Sequence, residues 1–242
     1  MTKYIYLFLI VSSNSLFGCT ENNIDDSISL EPKIENNNAK DSIKPNQQKK
    51  YKMLALGDSY TIGQGVCTTC SFPEQLKSKT ETEIKNSSIN LKIIAKTGWT
   101  TTNLMNNIPK NLSTDYDFVT LLIGVNNQYQ RVNFDVYKKE FPELVNKAIK
   151  AVKGDKTKLV VISIPDYAYT PFGNGNIKIS EELKIYNSFA KEYCKSNSIQ
   201  FLNITDITEN GLNQPELVAN DNLHPSKIAY KKFVERLFPL FL

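Results

Sequence analysis

The chain has 242 residues, a formal net charge of +4, a single histidine and four cysteines. That length fits one folded domain with appendages and is sufficient for a proper hydrophobic core. Its 29 basic and 25 acidic residues are mixed along the chain, without the basic block or the basic and aromatic stripe that nucleic-acid binding requires. Nucleic acid is therefore excluded as an expected partner.

The N-terminal segment predicts export from the cytoplasm. Lys3 precedes an apolar run at residues 4–11, which is too short to span a bilayer and has the form of a signal-peptide core. The segment LFGC that ends at Cys19 resembles the lipobox of bacterial lipoproteins, in which the cysteine becomes the lipidated first residue. An ordinary secretory signal with an incidental cysteine is the alternative. We expect a signal peptide over residues 1–18 and a lipoprotein anchored through Cys19 to a membrane of the bacterial cell envelope.

The composition changes after this segment. Residues 20–50 are rich in Asn, Lys, Asp and Ser and show no apolar periodicity. Such a segment cannot bury enough surface to offset the entropy of ordering it. We predict a lipidated cysteine and disordered tether over residues 19–50, followed by a folded domain over residues 51–242.

Three cysteines fall in the predicted domain: Cys67, Cys70 and Cys194. A thioredoxin-type redox pair finds no support in the neighbouring sequence. A zinc site at Cys67 and Cys70 would need two further ligands, and only Cys194 and the one histidine remain. In an oxidising compartment a local Cys67–Cys70 disulfide is the favoured interpretation.

Five apolar runs in the domain predict β-strands, and helical patterns separate them. The strands are predicted at residues 51–57, 90–96, 117–124, 158–164 and 199–204. Helices are predicted at residues 72–84, 101–108, 134–152, 180–197 and 226–238. In the fourth helix the apolar face is expected to contain Leu183, Ile185, Tyr186, Phe189, Ala190 and Tyr193. The alternation implies right-handed crossovers and a mostly parallel sheet with helices on both faces.

Polar residues and glycines follow the first three predicted strands. Ser59 follows the first strand in GDS, Gly98 follows the second, and Asn126 follows the third in GVNN. Ligands of parallel sheets bind outside the carboxyl ends of the strands. We therefore expect these three residues to be neighbours at one rim of the sheet.

The residues at this rim can support nucleophilic catalysis. A serine hydroxyl needs a base, and the only histidine is His224, with Asp221 three residues before it. The carboxylate can hold the imidazole Nδ1 proton and leave Nε2 facing Ser59. The N–H groups of Ser59 and Gly98 and the side chain of Asn126 are candidate oxyanion donors. The alternatives are a polar turn at Ser59, a surface histidine near a helix start and an asparagine-rich turn.

Together these segments resemble the SGNH hydrolases, also called GDSL esterases and lipases. GDSYTIGQG is similar to the nucleophile block, KTGWTT to the glycine block, GVNN to the Gly-x-Asn-Asp block and DNLHP to the Asp-x-x-His block. The resemblance implies a catalytic triad of Ser59, Asp221 and His224 and an oxyanion hole of Ser59, Gly98 and Asn126. It also implies a flavodoxin-like three-layer α/β/α sandwich with a five-stranded, mostly parallel sheet.

One position departs from this pattern. The third block usually has an acid after its asparagine, and this chain has Asn127 there. A charged contact to neighbouring backbone is expected to be lost at Asn127. The alternative function is therefore a surface-tethered glycan-binding or ligand-binding lipoprotein that keeps the fold without efficient turnover.

The resemblance implies hydrolysis of carboxylic esters through an acyl-enzyme on Ser59, with no metal or organic cofactor. Four aromatic side chains are expected to line an acyl or sugar pocket, unless they only pack a loop onto the domain: Trp99, Tyr167, Tyr169 and Phe172. The sequence has no long apolar lid segment of the kind that lipases use. This favours short-chain esters of small molecules or glycans over triglycerides.

Substitution of Cys19 tests the predicted anchor. Because the lipid is expected to be attached to the cysteine thiol, Cys19→Ala should move the protein from the membrane fraction to a soluble or an unprocessed form. Cell fractionation and detergent partitioning measure this change. Unchanged detergent partitioning of a processed Cys19→Ala protein would contradict lipidation.

Overall fold

A computed structural model describes residues 48–241, in which a five-stranded sheet is flanked by helices. The strands are β1 (Lys49–Gly57), β2 (Ser87–Ala95), β3 (Phe118–Leu122), β4 (Leu159–Ile162) and β5 (Gln200–Leu202). Their order is β2-β1-β3-β4-β5, and every pairing is parallel. The predicted α/β fold with a five-stranded parallel sheet is confirmed.

The N-terminal predictions concern residues that the structure does not describe. The signal peptide, the lipidated Cys19 and almost all of the tether lie outside residues 48–241. β1 begins at Lys49, two residues before the predicted start of the domain, and Lys49 pairs with Ser87 of β2. Within the described residues, no helix is both long enough and apolar enough to cross a membrane.

Eight α-helices occur in the described part of the chain. They are α1 (Ser59–Ile62), α2 (Phe72–Glu83), α3 (Thr101–Asn107), α4 (Val125–Tyr129), α5 (Phe134–Ala151), α6 (Ile177–Ser196), α7 (Thr205–Thr208) and α8 (Lys227–Leu237). The five predicted helices correspond to α2, α3, α5, α6 and α8. The sequence did not predict α1, α4 and α7, because a helix of four or five residues is too short to show an apolar period.

The direction of the crossovers assigns the helices to two layers. α2 connects β1 to its neighbour β2 at one edge of the sheet. α3, α5 and α6 connect β2 to β3, β3 to β4 and β4 to β5, which moves the chain toward the other edge. Right-handed crossovers place helices on opposite faces when this direction reverses. Accordingly α2 packs against α8, and in the other layer α3 packs against α5 and α5 packs against α6.

The order in which strands are added to the sheet reverses at β1: β2 lies on one side of β1, and β3 and the later strands lie on the other side. Gly57 at the end of β1 pairs with Leu122 at the end of β3, so both strands end at the same level. At such a switch point the two following segments separate to opposite sides and leave a crevice. Ser59 follows β1 and Asn126 follows β3, so both begin at this crevice.

One side chain of α6 differs from the predicted apolar face. Leu183, Tyr186 and Ala190 are buried, but Ile185 is 55% exposed. Positions 183, 186 and 190 follow the helical spacing of three or four residues, whereas position 185 lies on the opposite side. The prediction that Ile185 belongs to the buried face is wrong. α6 also begins earlier than predicted, because the Asn176 side chain caps it by accepting the Lys178 N–H.

A disulfide joins Cys67 to Cys70 in the loop between α1 and α2. The side-chain amide of Gln75 donates to the carbonyls of Cys70 and Lys227, so this loop is attached to the start of α8. Gly65 in the same loop has φ +82°, and a Cβ there would lie 2.5 Å from Oδ2 of Asp221. The loop therefore packs directly against that carboxylate.

Removal of the disulfide tests its contribution to stability. Cys67→Ser/Cys70→Ser should lower the free energy of unfolding by about 2 kcal/mol, because the unfolded chain gains freedom when a short loop is opened. For a domain of this size the melting temperature should fall by roughly 4–8 °C. Thermal unfolding followed by circular dichroism measures this shift.

The control is the melting temperature of the wild-type protein with and without a reductant. Reductant should lower the wild-type value toward that of the double variant and leave the variant unchanged. Cys194 should not interfere, because it is fully buried and burial raises the pKa of its thiol to about 12. Two free thiols at Cys67 and Cys70 in natively exported protein would contradict the disulfide.

Candidate active site

The turn after β1 places Ser59 at the first position of α1. Asp58 caps this short helix, and its Oδ1 accepts the Tyr60 N–H at 3.0 Å. The Asp58 carboxyl is fully buried, and among the described residues its Oδ2 has no hydrogen-bond partner. Burial raises the pKa of Asp58 to about 7. The residue before the serine is thus a structural cap with a reduced tendency to ionise.

Ser59, His224 and Asp221 form a continuous chain of hydrogen bonds. His224 Nε2 lies 2.9 Å from Ser59 Oγ, and His224 Nδ1 lies 2.7 Å from Asp221 Oδ2. Because a carboxylate accepts at Nδ1, the Nδ1–H donates to it, and Nε2 is left to accept the proton of the Ser59 hydroxyl. The structure thus brings together the three residues of the predicted triad in a geometry that suits proton transfer.

The Asp221 carboxylate is held by the segment that follows it. Its Oδ1 accepts the N–H groups of Leu223 and His224 at 3.0 Å each. Partial burial opposes ionisation of Asp221, but these bonds and the imidazole hold the pKa of its carboxyl below the usual value. Asp221 therefore stays ionised and keeps the orientation of the imidazole.

Ser59 lies on the wall of a cavity and is more enclosed than the rim position suggested. Ser59 is only 5% exposed and His224 only 8%. The Tyr60 ring packs edge-on against the imidazole, with 5.5 Å between the ring centroids. The Ser59–His224 pair is thereby shielded from bulk water on one side, which strengthens electrostatic interactions at this place.

Three hydrogen-bond donors lie around the same cavity. Ser59, Gly98 and Asn126 all line it, and among the described residues the backbone N–H groups of Ser59 and Gly98 find no acceptor. Gly98 has φ +81°, a conformation that glycine adopts without strain. Asn126 Nδ2 donates one hydrogen to the Trp99 carbonyl at 3.0 Å, which leaves its second hydrogen for a ligand.

The segment with Gly98 is bound to α4 by further side-chain amides. Gln130, directly after α4, donates from Nε2 to the Gly98 carbonyl at 2.8 Å. Asn127 is fully buried and its Oδ1 accepts the Thr101 N–H at 2.9 Å. Asn127 lacks the charged contact to neighbouring backbone, as expected, but it keeps a hydrogen bond to that backbone. The accepting oxygen belongs to a neutral amide instead of a carboxylate.

The cavity next to Ser59 has a volume of about 250 Å³ and an aromatic wall. Tyr129, Tyr167 and Phe172 form this wall, with 6.2 Å between each pair of ring centroids. Tyr167 and Phe172 were predicted to line the site. Tyr129 was missed, because it lies on the unpredicted α4.

The other two predicted aromatic residues lie elsewhere. Trp99 and Tyr169 are not among the residues that line the cavity. Trp99 packs partly buried against the hydrophobic core and contributes its carbonyl to Asn126. A larger groove of about 630 Å³ runs along α2 and α8, but charged and polar side chains dominate its lining, and His224, the only histidine of the chain, is not part of it.

Comparison with known proteins agrees with this arrangement. Residues 55–232 match the sequence profile of the GDSL-like lipase/acylhydrolase family. A search of curated proteins found no significant match. Several solved structures share the fold at low sequence identity, and such likeness supports the fold alone.

Three of these structures illustrate the similarity. The psychrotrophic esterase EstA from Pseudoalteromonas sp., inhibited by monoethylphosphonate, has 19% identity and a TM-score of 0.57, with 78% of this chain and 94% of that chain covered. A variant of an acetyl xylan esterase from Geobacillus stearothermophilus has 17% identity and a TM-score of 0.62, with 81% and 96% covered. The lipase/acylhydrolase from Enterococcus faecalis has 16% identity and a TM-score of 0.61, with 78% and 94% covered.

The profile match spans well over half of the chain and includes Ser59, Asp221 and His224. All four motif segments of the sequence fall within it, and the structure places those segments around one cavity. The chain belongs to the GDSL-like lipase/acylhydrolase family.

Proposed function

We propose that the protein is a serine esterase that hydrolyses carboxylic esters through an acyl-enzyme on Ser59. The observation that carries this proposal is the unbroken hydrogen-bond chain from Asp221 through His224 to Ser59 beside an accessible cavity. A structural turn serine would not need an imidazole at 2.9 Å whose other nitrogen is fixed by a carboxylate. Membership of a family of acylhydrolases supports the same reaction class.

The geometry suits a two-step mechanism. His224 Nε2 removes the proton of Ser59 Oγ as the oxygen attacks the ester carbonyl. The negative charge that develops on the carbonyl oxygen is stabilised by donors from Ser59, Gly98 and Asn126. The protonated imidazole then gives its proton to the departing alcohol, which leaves the acyl group on Ser59. A water molecule, deprotonated by His224, releases the acid and restores the serine.

The size of the cavity favours short acyl groups. Its volume of about 250 Å³ lies below the roughly 300–1,000 Å³ typical of sites for drug-sized ligands. Tyr129 and Phe172 are 55% and 51% exposed at this wall, so their faces are available to a sugar ring or an apolar alcohol. We propose that the substrates are short-chain esters of small molecules or glycans. The structural likeness to an acetyl xylan esterase is consistent with this class.

We also propose that the enzyme works outside the cytoplasm. The signal-like segment and the LFGC sequence around Cys19 support export and a lipid anchor in the bacterial cell envelope. The disulfide between Cys67 and Cys70 fits an oxidising compartment. The alternative of an inactive binding lipoprotein rested on a loosened loop at Asn127. It is not favoured, because Asn127 retains its hydrogen bond to the Thr101 backbone.

A series of single substitutions tests the roles at the site. Ser59→Ala should abolish turnover of p-nitrophenyl acetate, and His224→Ala should be almost as damaging, because no second imidazole is present. Asn126→Ala should reduce kcat on the order of 10²- to 10³-fold, as expected for one oxyanion donor of three. Asp221→Ala should fall between, because it orients the base without touching the substrate. The measurement is kcat for each purified, folded variant.

Two controls separate this mechanism from general damage. Ser78→Ala changes an exposed serine on α2 and should keep wild-type kcat. A serine-directed phosphonate should add one adduct mass to the wild-type protein and none to Ser59→Ala. Wild-type turnover by Ser59→Ala would refute the proposal.

A panel of acyl chain lengths tests the substrate class. If the aromatic cavity limits the acyl group, kcat/KM for p-nitrophenyl esters should be highest for acetyl to butyryl. It should be at least roughly tenfold lower for octanoyl and longer chains, since misfitting methylenes cost about this factor. Ser59→Ala provides the blank for each ester. A maximum at decanoyl or longer would contradict a short-chain esterase and favour a lipase.

A further inference from the structure

The side chain of Asn127 makes more contacts than a turn asparagine requires. It is fully buried on α4, directly after Asn126. Its Oδ1 accepts the Thr101 N–H at 2.9 Å, and its Nδ2 donates to Thr101 Oγ1 at 2.8 Å. Thr101 is also fully buried, and its hydroxyl lies 2.5 Å from Oε2 of Glu140 on α5. Three side chains from three helices are thus joined in one row.

The direction of each hydrogen bond follows from the groups at its ends. The Thr101 backbone N–H can only donate, so the side-chain atom of Asn127 that faces it must be the oxygen. The amide nitrogen therefore faces Thr101 Oγ1 and donates to it. Since the hydroxyl has one proton, that proton goes to the Glu140 carboxylate. The row runs from amide through hydroxyl to carboxylate, and the amide of Asn127 supplies its first donor.

This row ends beside an oxyanion donor. Asn126 Nδ2 donates to the carbonyl of Trp99, two residues before Thr101. Neighbouring residues of α4 thus bind the same short segment at two points. α4 has five residues, and Gly124 at its start provides no side-chain cap. A helix of this length has little stability of its own, so these contacts fix the direction of the Asn126 amide.

Glu140 connects the row to a rigid element. It lies on α5, an 18-residue helix that buries Tyr137, Phe141 and Leu144 in the core. The Thr102 hydroxyl also donates to Glu140, at 2.8 and 2.9 Å from its two oxygens. The carboxylate therefore holds the first turn of α3 while it receives the proton of Thr101.

We infer that Asn127, Thr101 and Glu140 form a relay that positions the oxyanion donor Asn126, with a side-chain oxygen of Glu140 as its terminal acceptor. The inference rests on the proposed esterase function. None of the three residues lines the cavity next to Ser59, so they are positioning residues. Their effect should appear in kcat with little change in KM, because an oxyanion donor acts on the transition state.

The first test replaces the side-chain donor at position 127 by a carboxylate, which can only accept hydrogen bonds. In Asn127→Asp at pH 8, carboxylates lie on both sides of the Thr101 hydroxyl, which has one proton to give. The hydroxyl can donate to only one of the two carboxylates, so the row is broken at one end, and we expect kcat on p-nitrophenyl acetate to fall roughly tenfold. In Glu140→Gln alone, the new side-chain oxygen can still accept from Thr101, so kcat should change less than roughly threefold.

The double variant Asn127→Asp/Glu140→Gln tests whether reversal of both side-chain hydrogen bonds in the row restores kcat. The new amide at position 140 can donate to Thr101 Oγ1, and the hydroxyl can then donate to the new carboxylate at position 127. The row is thus complete with its direction reversed. We expect kcat to return to within roughly threefold of wild type. A double variant that is as slow as Asn127→Asp would overturn the relay, as would a single Asn127→Asp with wild-type kcat.

Matched threonine variants and a melting curve separate positioning from folding. Thr101→Val keeps the shape and removes the hydroxyl, and it should lower kcat with KM unchanged. Thr102→Val removes the other hydroxyl on Glu140 and should keep kcat. Equal decreases of kcat in Thr101→Val and Thr102→Val would overturn the inference. If the melting curve shows that Asn127→Asp does not fold, the comparison of these two threonine variants serves as the test. Loss of turnover in Ser59→Ala tests the proposed esterase function independently. A negative result for the relay can therefore be distinguished from a failure of the proposed function.

Discussion

The parallel pairing of β1 with β3 is the constraint on which the site depends. Because Gly57 is in register with Leu122, the segments that follow the two strands begin side by side. One leads within two residues to Ser59, and the other leads through Gly124 to Asn126. Because the strand order reverses at β1, the two segments leave toward opposite faces of the sheet, and the space between the two segments stays open. Ser59 and Asn126 therefore line one cavity although 67 positions separate them in the sequence.

Two carboxyl groups near Ser59 behave differently because their surroundings differ. The Asp58 side chain is fully buried at the start of α1 and accepts a hydrogen bond from the Tyr60 N–H. Burial raises the pKa of its carboxyl to about 7. Asp221 is less buried, and donors from Leu223 and His224 keep the pKa of its carboxyl low. Hence a negative charge lies beside the imidazole of His224, whereas the carboxyl directly before Ser59 is mostly uncharged below about pH 7.

Much of the fold and of the site could be predicted from the sequence, for identifiable physical reasons. Strands buried on both faces appear as unbroken apolar runs, and α2, α3, α5, α6 and α8 are long enough to show a helical period. Asp221 and His224 are close in sequence, so a short turn suffices to pair them. Predictions failed where a side chain depends on neighbours that the sequence does not reveal. Ile185, for example, faces solvent.

The sequence by itself determined which chemical groups are present: one imidazole, a serine after a strand, and an amide where an acid is usual. The tertiary structure alone decided how they are held. Thr101 and Glu140 are 39 positions apart in the chain, and Tyr129 reaches the cavity only because a five-residue helix turns it there. Hydrogen bonds act over about 3 Å, so contacts between distant segments exist only after the sheet and helices have packed.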